Sequence, residues 1–142
     1  MKLIKRIVLY FFALNLMAMG VALYLKVDIG VGSWDVLHGN LYDFYHLTVG
    51  TWVFIVGIIT VIISLVFYFK ISNVLAIITN LFFGWIIDFW FIYVFTFNIS
   101  PLLLKYSLFF LSLIFLGSGI ALLIFTKLSP TPPDILMLSF MK

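Results

Sequence analysis

Residues 7–25 read IVLYFFALNLMAMGVALYL, a run without charged side chains in which Asn15 is the only strongly polar residue. At 1.5 Å per residue, a helix of this length covers about 28 Å, close to the ~30 Å hydrocarbon core of a bilayer. A secretory signal peptide has a shorter apolar region and precedes a polar chain, whereas more apolar runs follow here. The stretch therefore predicts an uncleaved first membrane span.

The rest of the chain contains further runs of this kind. Residues 47–69 carry no charge, and Asp88 is the only charged residue between Lys70 and Lys105. As one helix, the stretch between the two lysines would reach about 51 Å, too long for a single crossing. Residues 98–101 (Asn-Ile-Ser-Pro) supply a break, because proline restricts the residue before it. We predict an all-α polytopic membrane protein with spans at about 5–25, 48–69, 74–96 and 103–126.

The composition excludes most other classes of protein. Apolar residues make up 65% of the chain and charged residues 9%, and there is no cysteine. A soluble domain is about 25% charged, and a cysteine-free chain has no disulfide framework or thiolate metal site. The net charge of +3 is scattered along the chain, which does not suit a nucleic-acid interface. We expect the lipid bilayer to be the main partner, and we do not expect the protein to bind nucleic acid.

Two polar stretches, 28–46 and 127–134, each end one helix and begin another. Ser33 is the predicted N-cap in the first stretch and Thr131 in the second, where Pro132 takes the favoured first helical position. The terminal helix that starts near Thr131 is too short to span a bilayer alone. It is expected to lie in a re-entrant or interfacial position.

An internal repeat appears when the chain is shifted by 99 residues, which places residues 1–43 on 100–142 without a gap. Matches between leucines are frequent by chance in apolar sequences, and chance remains the alternative explanation. More informative are four residues that keep their spacing: Gly20, Ala22, Leu23 and Asp35 fall on Gly119, Ala121, Leu122 and Asp134.

The repeat implies an inverted-topology architecture. A unit of residues 1–99 holds three spans, an odd number, so the second unit enters the membrane from the opposite side. The second unit, residues 100–142, holds one span and the short terminal helix, and we expect the chain to be truncated or split. A second copy of the chain or a partner subunit would complete the repeat.

The basic residues predict the orientation. Lys2, Lys5, Arg6, Lys70 and Lys127 lie on one side if the N-terminus is cytoplasmic, which leaves Lys26 and Lys105 outside. The positive-inside rule favours this arrangement.

Three motifs resemble those of the YczE/YitT-type bacterial membrane proteins. They are residues 29–38 (IGVGSWDVLH), residues 80–88 (NLFFGWIID) and residues 130–137 (PTPPDILM). The resemblance covers nearly the whole chain, although the Gly39-Asn40 pair looks atypical and family members usually continue for two more spans. It implies a multi-pass protein of the bacterial cell (inner) membrane and brings no established substrate or reaction.

Six residues are candidates for function: Asp35, Asp134, Asp88, Trp34, Ser33 and Asn80. Asp35 and Asp134 either meet at a shared midplane site or each stabilise the start of their own helix. Asp88 is either a coupling carboxylate or a group that reaches interfacial water. Asn80 is a candidate for a cross-helix hydrogen bond.

Other polar and small residues have simpler interpretations. His38 and His46 are interpreted as interfacial loop histidines, because no further ligands stand near them in the sequence. Gly20, Gly117 and Gly119 are expected to permit close helix packing.

Two functions remain open: a small secondary transporter or permease of unknown small-molecule or ion substrate, and a non-transporting scaffold or accessory subunit. An enzyme is not expected, because the chain has no Cys, no Glu and no recognisable nucleophile–base pair. No catalytic, cofactor-binding or metal-ligating residue is assigned.

Overall fold

The computed structural model describes residues 3–30, 32–67, 71–97, 99–128 and 131–141, with the backbone alone for 71–75. This described part is helical and contains no strand. Its helices are α1 (Leu3–Val27), α2 (Ser33–Tyr45), α3 (Val49–Phe67), α4 (Ile71–Asp88), α5 (Leu102–Thr126) and α6 (Pro132–Phe140). A π-helical segment, Phe89–Val94, continues α4 without a break.

Within the described residues, four helical stretches are long and apolar enough to cross a membrane, the number that the sequence predicts. They are Leu3–Val27, Val49–Phe67, Ala76–Val94 and Leu102–Thr126. The ends differ from the predicted ones by a few residues, and the last residues of the predicted 48–69 span lie outside the described part.

Helices α1 and α5 form a closely packed antiparallel pair. Arg6, near the start of α1, donates two hydrogen bonds to the carbonyl of Thr126 at the end of α5 (3.0 and 2.7 Å). Farther along, a Cβ atom on Gly20 would lie 2.7 Å from the backbone nitrogen of Leu116. One on Gly119 would lie 2.7 Å from the backbone nitrogen of Met17. Both glycines are needed for this close approach, as predicted, whereas Gly117 faces open space and the prediction for it is wrong.

Helices α3 and α4 form an antiparallel hairpin. Gly50 and Gly84 bring the two backbones into contact near the start of α3, and Gly57 makes room for Asn80 farther along. The hairpin packs against α1, where the Tyr10 hydroxyl donates a hydrogen bond to Thr79 of α4 (2.7 Å).

The two short helices pack against the long ones at different places. In α6, the Ile135 carbonyl accepts a hydrogen bond from Ser64 (3.4 Å), and the ring of Phe140 packs at a tilt against that of Phe67, with the ring centres 4.8 Å apart. Helix α6 therefore runs alongside the second half of α3. Helix α2 contacts the end of the α4 stretch through Tyr42, whose ring lies 5.8 Å from that of Phe91.

Large apolar side chains cover much of the outer surface. Leu103, Phe110 and Ile124 on α5 are more than half exposed, as are Ile59, Val66 and Trp85 on the hairpin. Water would disfavour such a surface, and lipid tails suit it. The outer surface is therefore that of a membrane-spanning protein.

Candidate functional site

A cavity of about 220 Å³ lies at the centre of the helices, where the starts of α2 and α6 approach each other. Helix α2 contributes Trp34, Asp35 and His38, and the start of α6 contributes Thr131, Pro132 and Pro133. The remaining wall is largely apolar and includes Met17, Val21, Val53, Phe83, Leu116 and Ile120. We refer to this space as the central cavity.

Two of the three candidates on α2 line the central cavity. Asp35 and Trp34 face it, whereas Ser33 is exposed and is not among the residues that form its wall. The prediction that Ser33 is the N-cap is wrong, because Ser33 is the first residue of α2. Gly32 takes the capping position instead, with an extended backbone (φ −61°, ψ 152°) and no side-chain hydrogen bond to the helix.

His38 is a cavity residue that the sequence analysis missed. Only 7% of its surface is exposed, and neither imidazole nitrogen has a hydrogen-bond partner among the described residues. Its Nδ1 lies 3.9 Å from Oδ1 of Asp35. The interpretation as an interfacial loop histidine is wrong, because residues 33–45 form a helix that buries this side chain. The available signal was the spacing of three from Asp35, which places both residues on one helix face.

Asn80 lines the central cavity and joins α3 to α4. Its Nδ2 donates a hydrogen bond to the Val53 carbonyl (2.9 Å) and a longer one to the Phe54 carbonyl (3.4 Å). Gly57 stands opposite, and a side chain there would collide with the Asn80 amide. The predicted cross-helix hydrogen bond is therefore present.

Asp88 is placed away from the central cavity, at the start of α3. Its Oδ1 accepts a hydrogen bond from the backbone N–H of Gly50 (2.7 Å). The first amides of a helix have no partner within the helix, and a carboxylate there also compensates the positive end of the helix dipole. Asp88 thus caps α3 from the neighbouring helix, a role that neither interpretation of its sequence position included.

Asp134 is exposed and is not among the cavity-lining residues. Its Oδ2 accepts hydrogen bonds from the Thr131 hydroxyl (2.6 Å) and the Thr131 backbone N–H (3.3 Å). Thr131 is the N-cap, as predicted, and the two residues form a capping box. The structure therefore does not bring the carboxylates of Asp35 and Asp134 together in the cavity.

A shallower pocket adjoins the central cavity at the end of α1. Its wall includes three carboxylates, Asp28, Asp35 and Asp43, together with the polar side chains of Asn40 and Tyr42. Asp35 lines both spaces. We refer to this pocket as the acidic vestibule.

The described residues do not bring three or more His or Asp side chains together in a group that could hold a metal ion. The arrangement instead offers one carboxylate, one imidazole and three further polar side chains, Thr79, Asn80 and Thr131, in a largely apolar space. Such a mixture is typical of a site for a small molecule.

These features define an α-helical, multi-pass membrane protein with a central cavity. Residues 4–142 match the family described as "Family of unknown function (DUF6198)", and the chain belongs to that family. It is 30% identical over 143 residues to "Uncharacterized membrane protein YczE" of Bacillus subtilis (strain 168). That alignment covers 96% of this chain and 63% of the relative.

A second relative supports the same assignment. The chain is 30% identical over 130 residues to "Uncharacterized protein YyaS" of Bacillus subtilis (strain 168), covering 91% of this chain and 65% of that protein. The chain thus spans less than two thirds of the length of either relative. No solved structure matches it. The resemblance to YczE-type proteins noted in the sequence is confirmed.

Proposed function

We propose that the protein is a small secondary transporter or permease built on an inverted repeat, with the central cavity as its substrate site. The observation that carries the proposal is the position of the cavity, which lies where the two sequence-related parts of the chain meet. Secondary transporters with inverted repeats bind their substrates at such an interface, between interrupted helices.

The helix boundaries support the repeat. Helix α5 begins 99 residues after α1 and ends 99 residues after it, and α6 begins 99 residues after α2. The residues that follow α1 and α5, Asp28 and Lys127, both have left-handed backbones (φ 53° and 51°). Non-glycine residues seldom adopt this conformation, so chance is a poor explanation for its recurrence at the same offset.

The contacts between α1 and α5 support a two-fold relation. A side chain on Gly20 would meet the backbone of Ser112 and Leu116, and one on Gly119 would meet that of Ala13 and Met17. Each of these residues has its counterpart at a distance of 99. An exchange of equivalent contacts is what a two-fold axis between the two units would produce, and because the helices are antiparallel, that axis would lie in the membrane plane.

The cavity wall has the same approximate symmetry. Three pairs of wall residues are related by the shift of 99: Met17 with Leu116, Val21 with Ile120, and Trp34 with Pro133. The aspartates in the first turns of α2 and α6 do not follow this symmetry, because Asp35 faces the cavity whereas Asp134 caps its own helix. We therefore assign the substrate-binding role to Asp35 and a stabilising role to Asp134.

We also propose an alternative in which the protein is an accessory subunit or a chain completed by a partner. This alternative rests on the exposed face of α5. Leu14 on α1 is 1% exposed beneath the α3–α4 hairpin, whereas its counterpart Leu113 is 43% exposed. Gly117 and Ile120 are likewise exposed where Ala18 and Val21 are buried. A helix pair equivalent to α3–α4 would cover this face, supplied by a second copy or by a partner subunit.

The location belongs to the same proposal. We place the protein in the bacterial cell (inner) membrane with the N-terminus in the cytoplasm. The positive-inside distribution of lysines and the two Bacillus relatives support this placement.

Flux measurements separate the two functions. The full chain, reconstituted in liposomes that enclose a pH-sensitive dye, is exposed to panels of small cations, anions and neutral solutes. A transporter gives substrate-dependent flux that Asp35→Asn abolishes. Asp88→Asn, which keeps an oxygen acceptor for the Gly50 amide, leaves the flux near the wild-type rate. Absence of flux with every panel member would contradict transport and favour the accessory role.

A further inference from the structure

The polar side of the central cavity contains a side chain that lacks hydrogen-bond partners. His38 lines the cavity and is more than nine-tenths buried, and both of its nitrogens are without hydrogen bonds among the described residues. A buried polar group without a partner is destabilising. The unpaired imidazole therefore indicates a space that holds a polar ligand.

The charges around the cavity select the sign of that ligand. Asp35 is the one fully charged side chain among the described wall residues, and no lysine or arginine is among them. The start of α2 contributes a positive dipole end worth roughly half an elementary charge, less than the charge of the carboxylate. The net charge that the described wall residues and the start of α2 present to the cavity is therefore negative.

Helix α6 does not reverse this balance. Helix starts often bind anions through their free backbone N–H groups. In α6 the first two residues are Pro132 and Pro133, which have no N–H, and the next amide, of Asp134, is occupied by the Thr131 side chain in the capping box. The start of α6 therefore offers the cavity no anion-binding donor.

The acidic vestibule provides an approach for cations. Asp28 and Asp43 line it together with Asp35, which also faces the central cavity. Lys26 is nearby, but its Nζ lies over the Phe91 ring at 4.2 Å and the residue is not part of the vestibule wall. A recess lined by charges of one sign concentrates counter-ions.

A comparison of the two halves shows why Asp35 is available. In the second half, the Thr131 hydroxyl donates to the Asp134 carboxylate at 2.6 Å. In the first half, the equivalent position is Gly32, which has no hydroxyl, and α2 has no side-chain cap hydrogen bond. The Asp35 carboxylate is therefore not held by a capping hydroxyl, unlike that of Asp134.

We infer that the central cavity binds a small organic cation, in which an ammonium group contacts Asp35 and an apolar body lies against Met17, Phe83 and Leu116. At about 30 Å³ per water in the liquid, the cavity has room for roughly seven waters, which suits a molecule such as phenethylammonium. The inference rests on the same cavity as the proposed transport function and deepens it by naming a substrate class.

Calorimetric titration of the purified full chain in detergent tests the inference directly. Phenethylammonium is the probe, and 2-phenylethanol and phenylacetate are the neutral and anionic controls. The wild-type protein is expected to bind the cation in preference to both controls. Asp35→Asn should weaken binding by roughly tenfold or more, about 1.4 kcal/mol or more. Asp134→Asn should leave binding unchanged, because that residue lies outside the cavity wall.

The variant Gly32→Thr provides an independent test of the role of the Asp35 carboxylate. The Gly32 backbone is extended, which suits threonine, and an added Cβ would lie 3.1 Å from Oδ2 of Asp35, so that the flexible carboxylate must shift by a few tenths of an ångström. The new hydroxyl should occupy the carboxylate as Thr131 does, which abolishes cation binding while thermal stability stays equal or rises. A loss of binding in this variant therefore does not reflect unfolding.

The outcomes distinguish this inference from the proposed function. Binding of the cation without flux in liposomes would support the inference and contradict transport. Equal binding of the cation and the alcohol would overturn the inference whatever the flux, as would an unchanged affinity in Asp35→Asn.

Discussion

At the scale of single residues, the aspartates at positions 35 and 134 have different surroundings in the structure, and the residue three positions before each is part of that difference. Thr131 engages Asp134, whereas Gly32 leaves Asp35 facing the cavity. The sequence predicted both positions from their recurrence and their helix-start context. It did not predict that they would separate, because that depends on which face of each short helix meets the other helices.

His38 shows the same limit of sequence reasoning. Its helical spacing from Asp35 was visible in the sequence, but its burial results from the packing of α2 in the folded chain. Asp88 is a similar case, since its partner, the Gly50 amide, lies on a different helix.

At the scale of helices, the apolar runs predicted the spans closely because membrane-crossing length is a local property of the sequence. Helix α1 extends two residues beyond each predicted end, and α5 begins one residue before its predicted start and ends where predicted. The π-helical segment after Asp88 was not anticipated, since a regular apolar pattern does not distinguish α from π turns. Nor did glycine content alone distinguish the packed Gly119 from the exposed Gly117.

The pair of glycines on α5 gives a matched test of the packing. Gly119→Ala should destabilise the protein by about 1–3 kcal/mol, because the new Cβ would lie 2.7 Å from the Met17 backbone nitrogen. Gly117→Ala meets no atom within 4 Å and should be neutral or stabilising by up to ~1 kcal/mol through helix propensity. Thermal unfolding in detergent, followed by circular dichroism, measures both. Equal losses in the two variants would contradict the close α1–α5 contact.

At the scale of the whole molecule, the shift of 99 residues found in the sequence also relates the helix boundaries and the helix-ending conformations of Asp28 and Lys127. The cavity was less predictable. Its wall combines residues from all six helices, so its position follows from tertiary packing and not from any one motif.

The arrangement of the ends predicts the orientation in the membrane. The hydrogen bonds from Arg6 to Thr126 place the start of α1 and the end of α5 at one end of the molecule, with Lys5 and Lys127 beside them. Lys26 and Lys105 belong to the opposite end of the same helix pair. The positive-inside rule then predicts that the first end is cytoplasmic and that the acidic vestibule opens outside.

Labelling of single cysteines in intact cells tests this orientation, and the chain has no native cysteine to interfere. Lys5, Asp43 and Leu128 are all exposed, so each position can be reached by a reagent. With a membrane-impermeant maleimide, Asp43→Cys should label in intact cells, whereas Lys5→Cys and Leu128→Cys should label only after permeabilisation. The reverse pattern would contradict the predicted orientation and would mean that the acidic vestibule opens to the cytoplasm. Labelling of positions 5 and 128 from opposite sides would contradict the antiparallel pairing of α1 and α5, and with it the inverted repeat on which the proposed transport function depends.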